Sequence, residues 1–279
     1  MNNQQEIRLI AFDLDGTFLD RKKKIPEENL QALEEAAARG IQLVPATGRL
    51  YDGLPAEVLA LPYFRYFILI NGAKVYDAQE DRVLLSADLS NSLALALFEH
   101  ASGFDCLYDC YLNDEGLMTR SMYDVLEDYV EDQHYVQYMK QIRRPVEDLP
   151  ALVKKNGGPV QKVQYFFRDK EERLRQLALL PQEYSGVKAT SSMPMNIEIN
   201  SVNAGKGPAL IALCRHLGFT EKNALVFGDG TNDLDMIIAA GFGVAMSNSD
   251  KKLLEAADLV TAWDNDHAGV GRMIRQLIG

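Results

Sequence analysis

Four groups of polar residues in this sequence are spaced so that they could form one ligand-binding site. They are Asp13-Leu14-Asp15-Gly16-Thr17, Thr47-Gly48-Arg49, Asn71-Gly72 and Gly228-Asp229-Gly230-Thr231-Asn232-Asp233. Each group follows a short apolar run that is typical of a buried strand. Any one of them could simply end a strand or cap a helix. Four such groups at the ends of strands in one sheet favour a functional site.

The acidic residues of these groups predict a binding site for a divalent cation. Asp13 and Asp15 are two residues apart, so an extended chain points both carboxylates to one side, and Gly16 allows a tight turn beside them. Asp229 and Asp233 bring two more acids to the same edge. Carboxylates that lie together repel one another unless a cation separates them. Ligand sets made only of oxygen favour Mg2+ over zinc, so we expect Mg2+ on these four acids.

Lys206 is a candidate for holding a phosphoryl group. It lies just before a helix predicted from about Pro208 to Leu217. A lone lysine is usually solvated, but beside these acids its ammonium could act as a point charge on an anionic ligand. The segment is not a nucleotide-binding P-loop, because Gly207 follows the lysine where serine or threonine is required. The Gly228-Asp229-Gly230 turn also lacks the third glycine of a dinucleotide-binding fingerprint.

The elements that must position these residues alternate between strand and helix at both ends of the chain. Apolar runs are predicted as strands at residues 8–12, 41–44, 66–70, 224–227, 242–245 and 258–261. They are continuous rather than alternating, as in a parallel sheet that is covered on both faces. We therefore expect a doubly wound α/β core, with ligands beyond the carboxyl ends of its strands.

The middle of the chain predicts an inserted α+β domain. It offers a helix over 92–101, a hairpin around Asn113–Gly116, an amphipathic acidic helix over 122–140, and further strands and helices up to residue 191. We place the core at residues 1–82 and 194–279 and the insert at 83–193. Lys162 opens a strand of this insert, and we expect it to be a solvated edge lysine.

Composition excludes several classes of protein. The chain has 40 acidic and 29 basic residues in 279, with a net charge of -11, so nucleic acid and anionic membranes are not expected partners. The three cysteines are scattered, which suits a reducing compartment and buried packing. Residues 1–6 lack the pattern of a signal peptide, and no apolar run reaches about 18 residues. We expect a cytoplasmic protein, either a monomer or a small homo-oligomer.

The polar groups resemble, in order, the four motifs of the haloacid dehalogenase superfamily. The quoted runs are Asp13-Leu14-Asp15-Gly16-Thr17, Ala46-Thr47-Gly48-Arg49, Lys206-Gly207 and Gly228-Asp229-Gly230-Thr231-Asn232-Asp233. The insert, Asn71-Gly72-Ala73 and the run from Val244 to Asn248 are similar to Cof-type class IIB phosphatases. The resemblance implies a Rossmann-like core with an α+β cap that sets substrate specificity. One departure is local: Ala268 stands where the family often has an acid.

The resemblance also implies a role for each residue. Asp13 would be the nucleophile that forms an aspartyl-phosphate, and Asp15 the general acid and base. The metal would bind the carboxylates of Asp13 and Asp229 and the backbone carbonyl of Asp15. The remaining residues would hold the phosphoryl group, position the metal shell or lie near the substrate: Thr47 and Lys206 on phosphoryl oxygens, Asn232 and Asp233 at the metal shell and Lys206, and Gly48, Arg49, Asn71 and Gly72 at the substrate.

The function that these expectations give is a Mg2+-dependent phosphatase for a small phosphorylated metabolite, either a sugar phosphate or a cofactor phosphate. Two alternatives stay open. A phosphomutase would use the same residues and return an isomer rather than free phosphate. A non-catalytic regulator would bind a phosphorylated ligand without turnover.

Overall fold

The computed structural model describes residues 6–279. The segment before Glu6, on which the absence of a signal peptide was argued, lies outside the described residues. The strands are β1 (Leu9–Phe12), β2 (Gln42–Pro45), β3 (Tyr66–Leu69), β4 (Lys74–Asp77), β5 (Arg82–Ser86), β6 (Cys106–Leu112), β7 (Glu115–Thr119), β8 (Arg143–Val146), β9 (Val160–Phe167), β10 (Val187–Thr190), β11 (Asn196–Ser201), β12 (Ala224–Gly228), β13 (Phe242–Ala245) and β14 (Leu259–Val260). The α-helices are α1 (Glu27–Ala38), α2 (Ala56–Leu59), α3 (Asn91–Ala101), α4 (Arg120–Asp124), α5 (Gln133–Ile142), α6 (Leu149–Asn156), α7 (Lys170–Glu183), α8 (Lys206–His216), α9 (Leu234–Ala239), α10 (Lys251–Ala256) and α11 (Gly269–Ile278).

These elements form two compact units. The first unit comprises the chain up to Arg49, Leu54–Ser86 and Gly205–Gly279, and the second comprises Leu50–Gly53 and Ala87–Ala204. The second unit therefore holds nearly all of the residues predicted for the insert.

The first unit is built on a five-stranded parallel sheet. Its order is β14-β13-β12-β1-β2. Strand β1 pairs in register with β12 on one side and with the edge strand β2 on the other. All four residues of β1 are fully buried, as continuous apolar runs require in a sheet covered on both faces. The predicted α/β class with a Rossmann-like core is confirmed.

Strand β3 belongs to a different sheet from the one its apolar run suggests. It pairs with β4, and β4 with β5, in a three-stranded antiparallel sheet. Only an isolated parallel bridge, between Ala46 and Ile68, joins it to the end of β2. A tight turn follows β3 and returns the chain as β4, its antiparallel partner. The apolar run of β3 does not by itself predict this pairing.

Helices α1 and α11 pack together on the first unit through a shared polar contact. The Asn29 side chain donates to the Phe18 carbonyl at 2.9 Å and accepts from the Gly271 amide at 2.8 Å. A side chain on Gly271 would collide with α1, because its Cβ would lie 2.5 Å from the Glu28 carbonyl oxygen. Arg272 binds Glu28 through two hydrogen bonds of 2.7 Å at the same contact. The two ends of the chain are therefore joined on one side of the sheet.

The second unit is built on a six-stranded sheet of order β10-β11-β9-β6-β7-β8. Its neighbours are antiparallel except for β7 and β8. The hairpin predicted at Asn113–Gly116 joins β6 to β7, with Asn113 and Asp114 both at positive φ. One face of the sheet forms an apolar core with α3 and α6, including Tyr165, Val163 and Ile199.

The boundary of the second unit differs from the predicted one at both ends. Residues 83–86 belong to β5 and so to the first unit. Residues 194–204 belong to the second, because β11 pairs with β9 and β10. Residue 193, the predicted end of the insert, is therefore not the boundary. The chain returns to the first unit at Gly205, whose φ of 167° is extended backbone.

The acidic helix predicted over residues 122–140 is wrong as a single element. The chain forms α4, a separate turn at Leu126–Asp128, and α5. Asp132 begins α5, because its carboxylate accepts from the amides of His134 at 2.9 Å and Tyr135 at 3.2 Å. A side chain that caps a helix in this way ends any helix that precedes it.

Lys162 is also not the solvated lysine that we expected. It is 1% exposed, and its ammonium lies 3.1 Å from a carboxylate oxygen of Glu198 and 4.5 Å from the centre of the Tyr111 ring. The β11 carboxylate on the neighbouring strand supplies the charge that a buried lysine needs. Arg143 and Asp109 form a second buried ion pair, at 2.8 Å, in the same unit.

Cys106 and Cys110 are buried, as predicted, and Cys214 is buried as well; none of the three forms a disulfide. Among residues 6–279, no helix combines the length and the apolar character that crossing a bilayer would require.

Candidate active site

The predicted site residues of the first unit follow strands that lie side by side. Asp13 comes directly after β1, Thr47 follows β2, and Asp229 follows β12. Because these strands are parallel, their carboxyl ends meet at one edge of the sheet. The Asp13 amide donates to the Phe227 carbonyl at 3.0 Å, so the pairing continues past β1 and fixes the backbone of Asp13.

Lys206 is buried between two of the acids. Its ammonium lies 2.6 Å from Asp13 Oδ1 and 2.5 Å from Asp233 Oδ1, and none of its side chain is exposed. The lysine is the first residue of α8, slightly earlier than the helix start predicted at Pro208. Burial opposes its charge, but Asp13 and Asp233 outweigh that effect and raise the pKa of Lys206. The ammonium therefore stays charged and holds both carboxylates.

Asp233 organises the loop that follows β12. Its second carboxylate oxygen accepts from the amides of Asp229 and Gly230, both at 3.0 Å. Gly228 is required at this point, because a Cβ there would lie 2.5 Å from the Cβ of Asp233. One aspartate thus binds Lys206 with one oxygen and fixes the position of Asp229 with the other.

Three of the four predicted metal-binding acids lie together. Asp13, Asp229 and Asp233 each offer one carboxylate oxygen, and these oxygens lie within 4.8 Å of one another. Burial raises the pKa of Asp229 to about 7, and the neighbouring Asp233 adds to the shift. Burial likewise raises the pKa of Asp13 well above its ordinary value, although Lys206 opposes the shift. The raised pKa values of Asp13 and Asp229 fit a site for a divalent cation, whose charge would stabilise these carboxylates.

The carboxylate of Asp15 lies outside this group. It binds Arg49 through two hydrogen bonds, from Nε at 2.7 Å and Nη2 at 2.8 Å, and accepts from Lys23 Nζ at 2.7 Å. Burial raises the pKa of Asp15, but the hydrogen bonds and charges of Arg49 and Lys23 outweigh it and hold the pKa well below its usual range. The side chain is thus ionised and oriented by two cations.

Thr47 and Gly48 lie at the end of β2 beside Asn71. The Thr47 amide donates to the Ile68 carbonyl at 2.8 Å, and its hydroxyl accepts from the Arg49 amide at 3.2 Å. A Cβ on Gly48 would lie 2.8 Å from Asn71 Oδ1, so this glycine permits the close approach of the two loops. Asn71 is 2% exposed and has a φ of 55°, which asparagine tolerates better than most residues.

Gly72 and Asn232 contact neighbouring loops of the site. Gly72 has a φ of 82°, and a Cβ there would lie 2.1 Å from the carbonyl oxygen of Gly205, directly before Lys206. Its role in the described structure is therefore to let the β3–β4 turn approach the start of α8. Asn232 donates to Asn71 Oδ1 at 3.3 Å, which joins the β12 loop to the same turn.

Some contacts at the site were not predicted from the sequence. Lys23 belongs to the basic run Arg21-Lys22-Lys23-Lys24, which gave no signal of a role near Asp15. The hydroxyl of Thr17 donates to Asp229 Oδ1 at 2.7 Å, and a Cβ on Gly16 would lie 2.4 Å from the other oxygen of Asp229. The Asp13–Thr17 run therefore contacts Asp229 directly. The place of Thr17 at the end of this run could have suggested the contact.

Comparisons with known proteins agree with this geometry. A solved haloacid dehalogenase-like hydrolase from Bacillus subtilis superposes with a TM-score of 0.83 at 27% identity, covering 97% of this chain and 100% of its own. The subclass IIB sugar phosphatase BT4131 shares the fold, with a TM-score of 0.80 at 19% identity and coverage of 96% and 98%. The 5-amino-6-(5-phospho-D-ribitylamino)uracil phosphatase YcsE of Bacillus subtilis is 27% identical over 98% of this chain and 96% of its own.

The Rossmann-like core, with its group of carboxylates around a buried lysine, defines a phosphatase of the haloacid dehalogenase superfamily. The chain belongs to the family described as haloacid dehalogenase-like hydrolases, whose model matches residues 10–274. The predicted family and enzyme class are confirmed.

Proposed function

We propose that this chain is a Mg2+-dependent phosphatase that removes phosphate from a small phosphorylated metabolite through an aspartyl-phosphate. The observation that carries the proposal is the buried ammonium of Lys206, 2.6 Å from Asp13 and 2.5 Å from Asp233, beside the three-carboxylate group. This arrangement offers a nucleophile, a fixed positive charge for phosphoryl oxygens and a set of oxygen ligands at one point.

The proposed reaction has two displacements at phosphorus. In the first, an oxygen of Asp13 forms a bond to phosphorus while the bond to the ester oxygen breaks, and Asp15 gives a proton to the leaving alcohol. In the second, water attacks the same phosphorus, Asp15 takes a proton from that water, and the bond to Asp13 breaks. Inorganic phosphate and the alcohol are the products.

Asp13, Asp229 and Asp233, with the backbone carbonyl of Asp15, would hold the metal. When bound, Mg2+ supplies positive charge that keeps the carboxylates ionised and offsets the charge of the phosphoryl oxygens. Lys206 neutralises further charge on those oxygens from a site where no water competes, since its side chain is fully buried. Thr47, with its backbone fixed by Ile68, supplies a hydroxyl at the same strand end.

The contacts of Asp15 suit one of its two proposed steps more directly than the other. Arg49 and Lys23 hold the carboxylate ionised, which is the form that accepts a proton from water. The acid step requires a proton on the same group, so at least one of these cations must move from Asp15 when substrate binds.

The proposed substrate class is a small phosphorylated metabolite. The full-length relative YcsE is named for a phosphorylated ribityl compound, and the subclass IIB structure is named as a sugar phosphatase. The second unit, corresponding to the predicted cap, would select the substrate, which is the role that the family resemblance gives it.

The test is phosphate release from a panel of phosphorylated metabolites, with Mg2+ present and then chelated. Asp13→Asn should reduce release to background, because the amide cannot form the aspartyl-phosphate, and chelation should do the same. The exposed acid of Asp124 gives a matched control, since Asp124→Asn changes the charge equally and should leave release unchanged.

Full activity of Asp13→Asn would refute the mechanism. An isomeric phosphate ester in place of free phosphate would identify a phosphomutase, and Mg2+-dependent binding without turnover would identify a regulator.

A further inference from the structure

A pocket lies at the amino ends of the core strands, at the opposite end of the sheet from Asp13. Its volume is about 320 Å³. Five residues of extended chain separate Arg8 at this edge from Asp13, which corresponds to roughly 16 Å at about 3.3 Å per residue. The residues that matter for its chemistry are Arg8, Gln42, Arg65, Tyr66, Leu217 and Phe219.

Arg8 and Gln42 bring uncommitted hydrogen-bond donors to this pocket. Within the part of the chain that the structure describes, no acidic side chain pairs with the Arg8 guanidinium, and no side-chain hydrogen bond engages the Gln42 amide. The two residues are adjacent at the starts of the neighbouring strands β1 and β2, because the backbone amide of Gln42 donates to the backbone carbonyl of Arg8 at 2.9 Å. Arg8 is exposed, so its charge is open to a ligand from solvent.

Each arginine of the pocket lies against an aromatic ring. The Arg8 guanidinium lies 4.7 Å from the centre of the Phe219 ring, and that of Arg65 lies 5.0 Å from the centre of the Tyr66 ring. Arg65 is already paired, since its Nη2 lies 2.7 Å from Oδ2 of the buried Asp77 side chain. Among the described residues, Arg8 therefore supplies the unpaired positive charge of the pocket.

We propose that this pocket binds a small carboxylate, with its oxygens on Arg8 and Gln42. The fork of a guanidinium matches two carboxylate oxygens. At about 30 Å³ for each water-sized atom, the volume accommodates roughly ten non-hydrogen atoms. The overall charge of -11 disfavours anions elsewhere on the surface, so binding requires this local cation.

The experiment measures binding of benzoate to the full chain by titration calorimetry and by saturation-transfer NMR. Benzyl alcohol is the uncharged comparison, and inorganic phosphate is added as a competitor. Arg8→Gln removes the charge, Arg8→Lys keeps the charge but removes the fork, and Lys252→Gln makes the same charge change at an exposed residue of α10.

Benzoate should bind saturably to the parent protein and to Lys252→Gln, and at least about tenfold more weakly to Arg8→Gln, as expected for a hydrogen bond to a charged group. Arg8→Lys should be intermediate. Displacement by phosphate would support a general oxyanion site, and resistance to phosphate would support a carboxylate site.

Equal binding by Arg8→Gln and the parent protein would overturn the proposal, as would equal binding of benzyl alcohol and benzoate. Unfolding temperatures of the variants, measured in parallel, separate lost binding from lost structure. Phosphatase activity is a separate measurement, so failure here leaves the catalytic proposal intact.

Discussion

The raised pKa of Asp229 predicts that the metal-free protein loses stability as the pH rises. An unfolded aspartate releases its proton near pH 3.8, whereas folded Asp229 holds it to about pH 7. Between these values the folded state binds more protons, so the free energy of unfolding falls with increasing pH. This difference in pKa corresponds to about 4 kcal/mol, of which more than half falls between pH 5 and pH 8.

The assay is urea unfolding in the presence of a chelator, at several values between pH 5 and pH 8. Asp229→Asn cannot ionise, so the parent protein should lose about 3 kcal/mol relative to this variant across the range. Asp124→Asn, an exposed acid, should track the parent protein.

Saturating Mg2+ should abolish the difference, because a bound cation favours the ionised carboxylate. The apparent affinity for Mg2+ should fall at least about tenfold for each pH unit below 7, because the proton of Asp229 must leave for the metal to bind and a proton on Asp13 would add to the effect. A difference between the parent protein and Asp229→Asn that changes by less than about 0.5 kcal/mol from pH 5 to pH 8 would refute the reasoning, since the predicted linkage is several times larger.

Three further predictions concern other parts of the site. Lys206→Met should reduce kcat by about 10²–10³ and destabilise the protein by about 3 kcal/mol, because two buried carboxylates lose their cation; phosphate release and urea unfolding measure these effects. Arg49→Met should raise the pKa of Asp15, which must be protonated to give a proton to the leaving alcohol, so the alkaline limb of the kcat/KM profile should move to higher pH, and an unchanged limb would contradict this. Gly72→Ala should be at least about 2 kcal/mol more destabilising than Gly40→Ala in urea unfolding. Both glycines have φ near 80°, but only at Gly72 would a Cβ meet backbone, at 2.1 Å from the Gly205 carbonyl oxygen.

The positions of the site residues on the core strands could be predicted from local sequence. A continuous apolar run followed by Asp, Thr or Gly predicts both a buried parallel strand and the end at which a ligand binds, and β1, β2 and β12 follow this rule. The contacts of Asp15 could not be predicted in this way, because Lys23 and Arg49 reach it from different loops. A side-chain pairing that depends on loop conformation leaves no periodic signal in the sequence.

The errors in the second unit have a common physical origin. Lys162 lies near the start of β9, between Gln161 and Val163, and this polar start resembles an exposed strand end, yet the lysine pairs with Glu198 from β11. The acidic residues near 124–132 have helical spacing, but the cap formed by Asp132 starts a new helix. In the first case a contact with a residue distant in the sequence overrides the local pattern. In the second case the hydrogen bonds of a side chain to backbone amides do so.

The order of the first sheet has a consequence for synthesis of the chain. Leu9 in β1 pairs with Ala224 in β12, so the strand that carries Asp13 gains this neighbour only after the ribosome has added more than 200 residues. At 5–20 residues per second this takes roughly 10–40 s. Residues 87–204 emerge in that interval and contain all the strands of their own sheet. The nascent protein must therefore keep an apolar strand without one of its two neighbours while the inserted unit is being made.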